Sequence, residues 1–321
     1  MQSAAGPAVM PQSGDDTVVP FEVKPLGVRG RVVRLGETVD GILRQHDYPE
    51  PVSAVLAEGT ALASLLGSAL KFDGTFILQT RSDGPVGLLV ADYASPGRLR
   101  GYAQFDAGRI GALGNRPSPA ALFGGGHLAL TIDPGIGKER YQGIVALGEE
   151  GLEGAAHTYF RQSEQIPTSL RLAAGPLVGR AREAARWRAG AVMIQHLPRE
   201  GGSSPMEFSS GDAPEGTIEA VVEDDRWVKA RLLLETVEDH ELLDPQLSPE
   251  RLLYRLFHED GVTVYPARPL ERACSCSRER VVGLLRTFEE AERDAMLEDG
   301  RIVVSCQFCS QTYRIGPEEL S

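Results

Sequence analysis

The chain has 321 residues, 42% hydrophobic and 24% charged, with a formal net charge of −12. This is the composition of a folded globular protein with room for one large domain and a small one. The acidic balance argues against nucleic acid as the main partner, since phosphate binding needs a basic face, and no apolar run reaches the roughly eighteen residues needed to cross a bilayer.

Residues 1–19, rich in Ala, Gly, Pro and Ser, read as a disordered extension. They show neither a basic start nor the apolar stretch of a secretory signal, so a reducing, cytoplasmic setting is expected.

Residues 20–198 read as one mixed α+β domain. Val32, Val33, Arg34 and Leu35 form a strand, and the Ala/Leu-rich stretch 53–70 forms a helix. Two apolar runs, 76–80 and 86–90, flank Ser82-Asp83-Gly84-Pro85, a strong hairpin turn. Further strands are expected at 128–132 and 143–147, a helix at 152–165, and a buried strand at 189–197 closed by Pro198. Strands follow one another without regular helical crossovers, so an α+β sheet arrangement is expected rather than a doubly wound one.

Residues 199–268 read as an acidic helical linker. Between positions 200 and 260 there are 16 acidic and 5 basic side chains, nearly all of the chain's excess charge. Its first part, 199–217, is Gly/Ser/Pro/Glu-rich loop. Trp227, Ala230, Leu234 and Val237 then recur at helical spacing. Ser248 caps a second helix that has Pro249 at its first position and Leu252, Leu253, Leu256 and Phe257 on one face. A short strand follows at 262–265. A charged helix pair with one apolar stripe is marginal alone and stays folded only while docked.

Residues 269–321 hold all four cysteines. Cys274 and Cys276 form a C-x-C pair, and Cys306 and Cys309 a C-x-x-C pair, with 29 residues between the pairs. Such clustering points to one four-thiolate zinc site, with one ion per chain. Four protein ligands close the site, leaving no position for a catalytic water. Ser277 caps a helix carrying Val281, Val282, Leu284 and Leu285, a second helix lies near 289–297, and strands at 302–304 and 312–315 flank the C-x-x-C pair. A domain of about fifty residues buries little apolar surface and often depends on metal to fold. The tight spacing also lets each pair close on itself as a disulfide, which removes two ligands at once. Arg272, Arg278 and Arg280 stand around the first pair and are expected to lower its thiol pKa values.

The stretch Cys274-Ser275-Cys276-Ser277-Arg278-Glu279-Arg280-Val281, with the later Cys306-Gln307-Phe308-Cys309, resembles the 33 kDa chaperonin family, the redox-regulated holdase chaperones. Leu99-Arg100-Gly101-Tyr102-Ala103, Tyr141-Gln142-Gly143-Ile144-Val145, Ser163-Glu164-Gln165-Ile166-Pro167-Thr168 and Leu256-Phe257-His258-Glu259 carry the resemblance through the rest of the chain. It departs at Ala191, where the family usually has a glycine. The resemblance implies a cytoplasmic, ATP-independent chaperone that is not an enzyme. Zinc on Cys274, Cys276, Cys306 and Cys309 marks the inactive reduced form. Disulfides Cys274–Cys276 and Cys306–Cys309 mark the active form, which binds unfolding client proteins and tends to dimerise. Trp227, Leu234 and Val237 are the candidate client contacts, although such residues are more often simple packing residues.

Two other readings compete. One is a protein-binding module with a purely structural zinc ribbon. The other is a thiol-disulfide oxidoreductase using Cys306 and Cys309, which is weakened because strands flank the pair where a βαβ setting is usual. Gly124-Gly125-Gly126-His127 lacks the Lys-Ser/Thr of a phosphate loop and reads as a tight turn. The scattered histidines, such as His157, His196 and His258, read as core or surface residues.

Overall fold

The computed structural model describes residues 13–70, 73–114, 116–135, 137–164, 166–177, 185–197 and 224–320. The first twelve residues and the expected loop at 199–217 lie outside that set. The chain opens with β1 (Thr17–Val23) and β2 (Val28–Leu35), then α1 (Glu37–Leu43) and α2 (Glu50–Gly67). Next come β3 (Thr75–Ser82), β4 (Leu88–Ala94), β5 (Arg98–Gln104), α3 (Ala107–Gly111) and α4 (Pro119–Phe123). β6 (Gly126–Asp133), β7 (Tyr141–Leu147), α5 (Gly151–Tyr159), β8 (Thr168–Leu177) and β9 (Arg186–His196) complete the large domain. The acidic segment supplies α6 (Asp225–Glu235), α7 (Asp239–Leu243) and α8 (Pro249–Phe257). β10 (Thr263–Val264), β11 (Arg268–Pro269) and β12 (Glu271–Arg272) lead into the tail, α9 (Arg278–Leu285), α10 (Glu290–Ala295), β13 (Leu297–Glu298), β14 (Arg301–Ser305) and β15 (Thr312–Ile315).

Two six-stranded sheets sandwich α2. Sheet one runs β10-β1-β2-β9-β8, with β11 also on β1, and is antiparallel throughout. Sheet two runs β12-β5-β4-β3-β6-β7, and only the β12–β5 pair is parallel. α2 is buried on nearly every side, as an apolar helix between two sheets must be. Its Leu56, Leu62 and Leu65 are fully buried with Leu78 and Leu89 of sheet two and Val33 and Ala191 of sheet one. Each such side chain contributes about 1.5–3 kcal/mol.

Sheet one is apolar on both faces, and alternation along its strands shows how. On β9, Ala189, Ala191 and Met193 enter the α2 core. Val192 and Ile194 point the other way into a second core. That core is completed by Trp227, Ala230, Leu234, Leu242, Leu252, Leu253, Leu256 and Phe257 of the acidic helices. Gly190 of β9 permits the close approach, since a Cβ there would stand 2.6 Å from the Leu242 carbonyl oxygen. Arg34 of β2, 1% exposed, donates to the carbonyls of Glu241, Asp244 and Leu247 and ties down the α7–α8 turn. Burial, with the Arg188 charge, draws its pKa down to about 10, so it stays charged at neutral pH.

The expected boundaries shift at two places. The extension was expected to reach residue 19, but β1 begins at Thr17 and Val18 and Val19 are buried. Asp15 accepts from Arg188 at 2.6 Å, and Asp16 accepts from the Gly36 and Thr38 amides. The linker and tail do not part at 268/269 either. β11 pairs Pro269 with Thr17, and β12 pairs Glu271 with Arg98. The helix expected over 152–165 ends at Tyr159 and passes into a π turn, Phe160–Glu164. Of the run expected to be a tight turn, only Gly124, at φ 58°, and Gly125 turn the chain out of α4, and Gly126 and His127 already begin β6.

Where α7 meets the large domain, Glu58 of α2, Glu153 of α5 and Asp239 of α7 converge. Desolvation first, then the Glu153 and Asp239 charges, hold the Glu58 carboxyl up at about 7. A carboxyl raised from 4.5 to about 7 favours the fold below pH 4.5, and that contribution is lost as the pH climbs to 7. Glu58→Gln is therefore expected to raise the melting temperature by about 2–4 °C at pH 8 and leave it unchanged at pH 4. Arg34→Met leaves three carbonyls without their donor. Hydrogen exchange over residues 239–249 is expected to accelerate by about tenfold or more, with no change in the tail.

Candidate metal centre

The tail builds one site from two loops. Cys274 and Cys276 lie on the extended run between β12 and α9, whose N-cap Ser277 accepts from the Arg280 amide at 3.3 Å. Cys306 and Cys309 lie in the turn joining β14 to β15, two strands in register from Ile302–Ile315 to Ser305–Thr312. The turn is closed by Cys306 N–H to the Gln311 carbonyl at 2.9 Å and Ser310 N–H to the Cys306 carbonyl at 2.8 Å. β13 and β14 are joined through Asp299 and Gly300, both at positive φ, as an Asp-Gly hairpin turn requires.

The four sulfurs converge. Cys274 Sγ is 3.7 Å from Cys306 Sγ, Cys276 Sγ is 3.3 Å from Cys309 Sγ, and all four lie within 4.8 Å of one another. Tetrahedral zinc with sulfur ligands at about 2.3 Å requires sulfur separations of about 3.8 Å. The donor set is therefore able to hold a metal ion, and four soft thiolates suit zinc rather than the oxygen-seeking divalent ions.

The thiols are not equivalent. Burial opposes ionisation at Cys276, but the Tyr313 hydroxyl, which donates to its sulfur at 3.2 Å, outweighs burial together with the other sulfurs and brings it down to about 7. Burial pushes Cys274 and Cys309 up. The expected arginine effect on the first pair is not how the site is built. Arg278 is held by Glu319 at 2.8 Å, Arg280 donates to the Ser275 carbonyl at 2.6 Å, and Arg272 lies against Gly41 of α1. A tyrosine hydroxyl does what was expected of the arginines. The core beneath is small: among the described residues Leu285, Ile302, Ile315 and Leu320 are buried in it, with Val281, Val282, Leu297, Val304 and Tyr313 partly buried against it.

The C-x-x-C turn rests on the large domain. The Phe308 ring meets Tyr102 edge-on at 5.6 Å, and the Arg100 guanidinium lies 4.0 Å over it. The Phe308 carbonyl accepts from His46 Nε2 at 3.3 Å, and Ser310 Oγ donates to the Gln45 carbonyl at 2.8 Å. Arg100 also donates to Ser275 Oγ at 2.9 Å and pairs with buried Asp92 at 2.7 Å. None of Tyr313, Phe308, Arg100 and His46 was singled out from sequence as a site residue. The one available signal was an aromatic side chain inside the C-x-x-C pair. Trp227, Leu234 and Val237 are 5%, 0% and 2% exposed and sit in the second core, away from the sulfurs.

Removing the Tyr313 hydroxyl takes a hydrogen bond from a sulfur of the set able to hold a metal ion. Tyr313→Phe is expected to weaken zinc retention by about 10- to 100-fold, read by competition with a chromogenic chelator at pH 7.5.

The profile of the Hsp33 protein family matches residues 16–316. The chain is 41% identical over 315 residues to a 33 kDa chaperonin of Caulobacter vibrioides, covering 96% of this chain and 98% of that one. It is 34% identical over 305 residues to the 33 kDa chaperonin of Escherichia coli K12, covering 95% and 92% of the two chains. A crystal structure of the 33 kDa chaperonin of Thermotoga maritima shares the fold, with a TM-score of 0.74 at 22% identity over 95% of this chain and 96% of that one. Among the described residues no helix is long and apolar enough to cross a membrane. With the match running from β1 through β15, the chain belongs to the Hsp33 family of heat shock chaperonins.

Proposed function

We propose that this protein is a redox-switched, ATP-independent holdase of the cytoplasm, held inactive by one zinc ion on Cys274, Cys276, Cys306 and Cys309. The observation that carries the reading is the convergence of four thiols in a tail with almost no core of its own. Metal binding at comparable sites contributes on the order of 10–16 kcal/mol, as much as or more than the roughly 6–12 kcal/mol that four buried side chains supply.

Oxidation by peroxide or hypochlorite joins Cys274 to Cys276 and Cys306 to Cys309. Each bond forms as two zinc-held thiolates give up two electrons to the oxidant, which takes its protons from solvent and ends as water, or as chloride and water, while zinc leaves as the free ion. With the sulfurs tied to each other, the ligand set is gone and the tail loses its order. The acidic helices then lose their continuation into β11 and β12 and leave the outer face of sheet one. That exposes Trp227, Leu234 and Val237 together with Phe21, Val192 and Ile194, an apolar surface beside a strongly acidic segment. Unfolding clients bind the apolar part, the charge keeps the complex in solution, and the open form associates into dimers.

Titration of the reduced, zinc-loaded chain with hypochlorite tests the switch, with zinc content, free thiols and far-UV circular dichroism followed together. Loss of four thiols is expected to coincide with release of one zinc and loss of helix signal. Suppression of aggregation of a chemically unfolded client is expected to appear in the same range. Equal suppression by the reduced, zinc-loaded form overturns the reading.

A further inference from the structure

Phe308 lies between the two cysteines of the C-x-x-C turn, yet its ring is spent on the large domain and not on the tail's own core. Its seat is made by Arg100 and Tyr102, neighbours on the outer face of β5. Arg100 is fixed from behind by Asp92, which is 4% exposed, and Tyr102 is 8% exposed beneath the ring. The His46 imidazole receives the backbone carbonyl of the same residue. The seat therefore reads both an aromatic ring and the peptide group that carries it.

β5 is also the last full-length strand on its side of sheet two. Among the described residues β12 pairs only with Arg98 and Leu99 of the seven residues of β5. Beyond those, the Ala103 amide donates to the Tyr48 hydroxyl at 3.0 Å, and the Phe308 turn lies beside Gly101, over the Arg100 and Tyr102 side chains. A strand edge beside an aromatic seat is a site for an extended chain bearing an aromatic side chain, with main-chain bonds giving affinity and the seat giving choice. A guanidinium face on an aromatic ring adds an attraction that grows as the pair is desolvated.

We propose that the Arg100–Tyr102–His46 seat on the β5 edge is a binding site for aromatic residues of extended, unfolded polypeptide, which Phe308 occupies in cis until the tail leaves. The site rests on the holdase reading, deepens it by naming a second client surface apart from the face of sheet one, and selects aromatic-containing segments.

The probe is a fluorescein-labelled peptide of Ser and Thr around a single Phe, with a twin carrying cyclohexylalanine in its place. Anisotropy is read on the full chain, with zinc content measured on every reduced sample. The oxidised wild type is expected to bind the Phe peptide at least fivefold tighter than its twin, a comparison that needs no protein variant. Tyr102→Leu and Arg100→Gln are each expected to weaken Phe-peptide binding about tenfold in the oxidised form. Reduced, zinc-loaded Phe308→Ala is expected to bind the Phe peptide while the reduced wild type does not. Equal binding of the two peptides, full binding by both seat variants, or no binding by zinc-loaded Phe308→Ala overturns the seat while leaving the redox switch standing. Equal client protection by reduced and oxidised wild type overturns the switch, and the comparison of the two peptides still decides the seat.

Discussion

Sheet one has two apolar faces, and the large domain has a helix for only one of them. α2 fills the space between the sheets, so the outer face of β1, β2, β9 and β8 must be covered from elsewhere in the chain. The acidic helices provide that cover. Their order depends on the sheet, because α6 to α8 are 11, 5 and 9 residues long, and isolated helices of this length are marginal in water. The sheet's solubility depends in turn on them. The rest of the architecture follows from this mutual dependence.

The metal centre stands at the far end of the same chain of dependence. Four buried side chains and a hairpin make a poor core, and the sulfurs supply what the core lacks. The tail meets the large domain at a few side chains: Phe308 on Tyr102 and Arg100, Ser310 on Gln45, and Ser275 on Arg100. So small a core and so few side-chain contacts leave the tail little stability of its own beyond what a metal on its four sulfurs could add.

Much of this was legible in the residue order. The cysteine spacing located the site, and Ser248-Pro249 and Ser277 gave true helix starts, with both hydroxyls accepting from the third amide on. The hairpin at 82–85 stood out through its Ser-Asp-Gly-Pro turn, and the strands at 128–132 and 143–147 as short runs of Ile, Val and Leu. β5 and β8 did not. β5 places Gly101 and Ala103 on its inner face between polar residues, and β8 runs through Ala173, Ala174, Gly175 and Pro176, so neither shows a strand's usual branched pattern. β1 lay hidden beside a run of Ala, Gly and Pro. The role given to the arginines went instead to Tyr313, because charge counted along a chain does not tell where long side chains turn. Arg278 turns to Glu319, 41 positions away.

Leu270 joins these parts. It lies between β11 and β12, its amide donates to Asp16 at 2.8 Å, and its carbonyl accepts from Thr38 Oγ1 at 3.4 Å. Its side chain, 4% exposed, belongs to the α2 core and not to the tail. Four residues before the first cysteine, the chain thus drives a peg into the middle of the large domain. When that peg is withdrawn the hole stays behind, at a cost of about 2–5 kcal/mol by analogy with a deleted leucine. The body of the protein thereby registers whether its far end is fastened, and vacating that hole is part of the work any opening of the molecule must do.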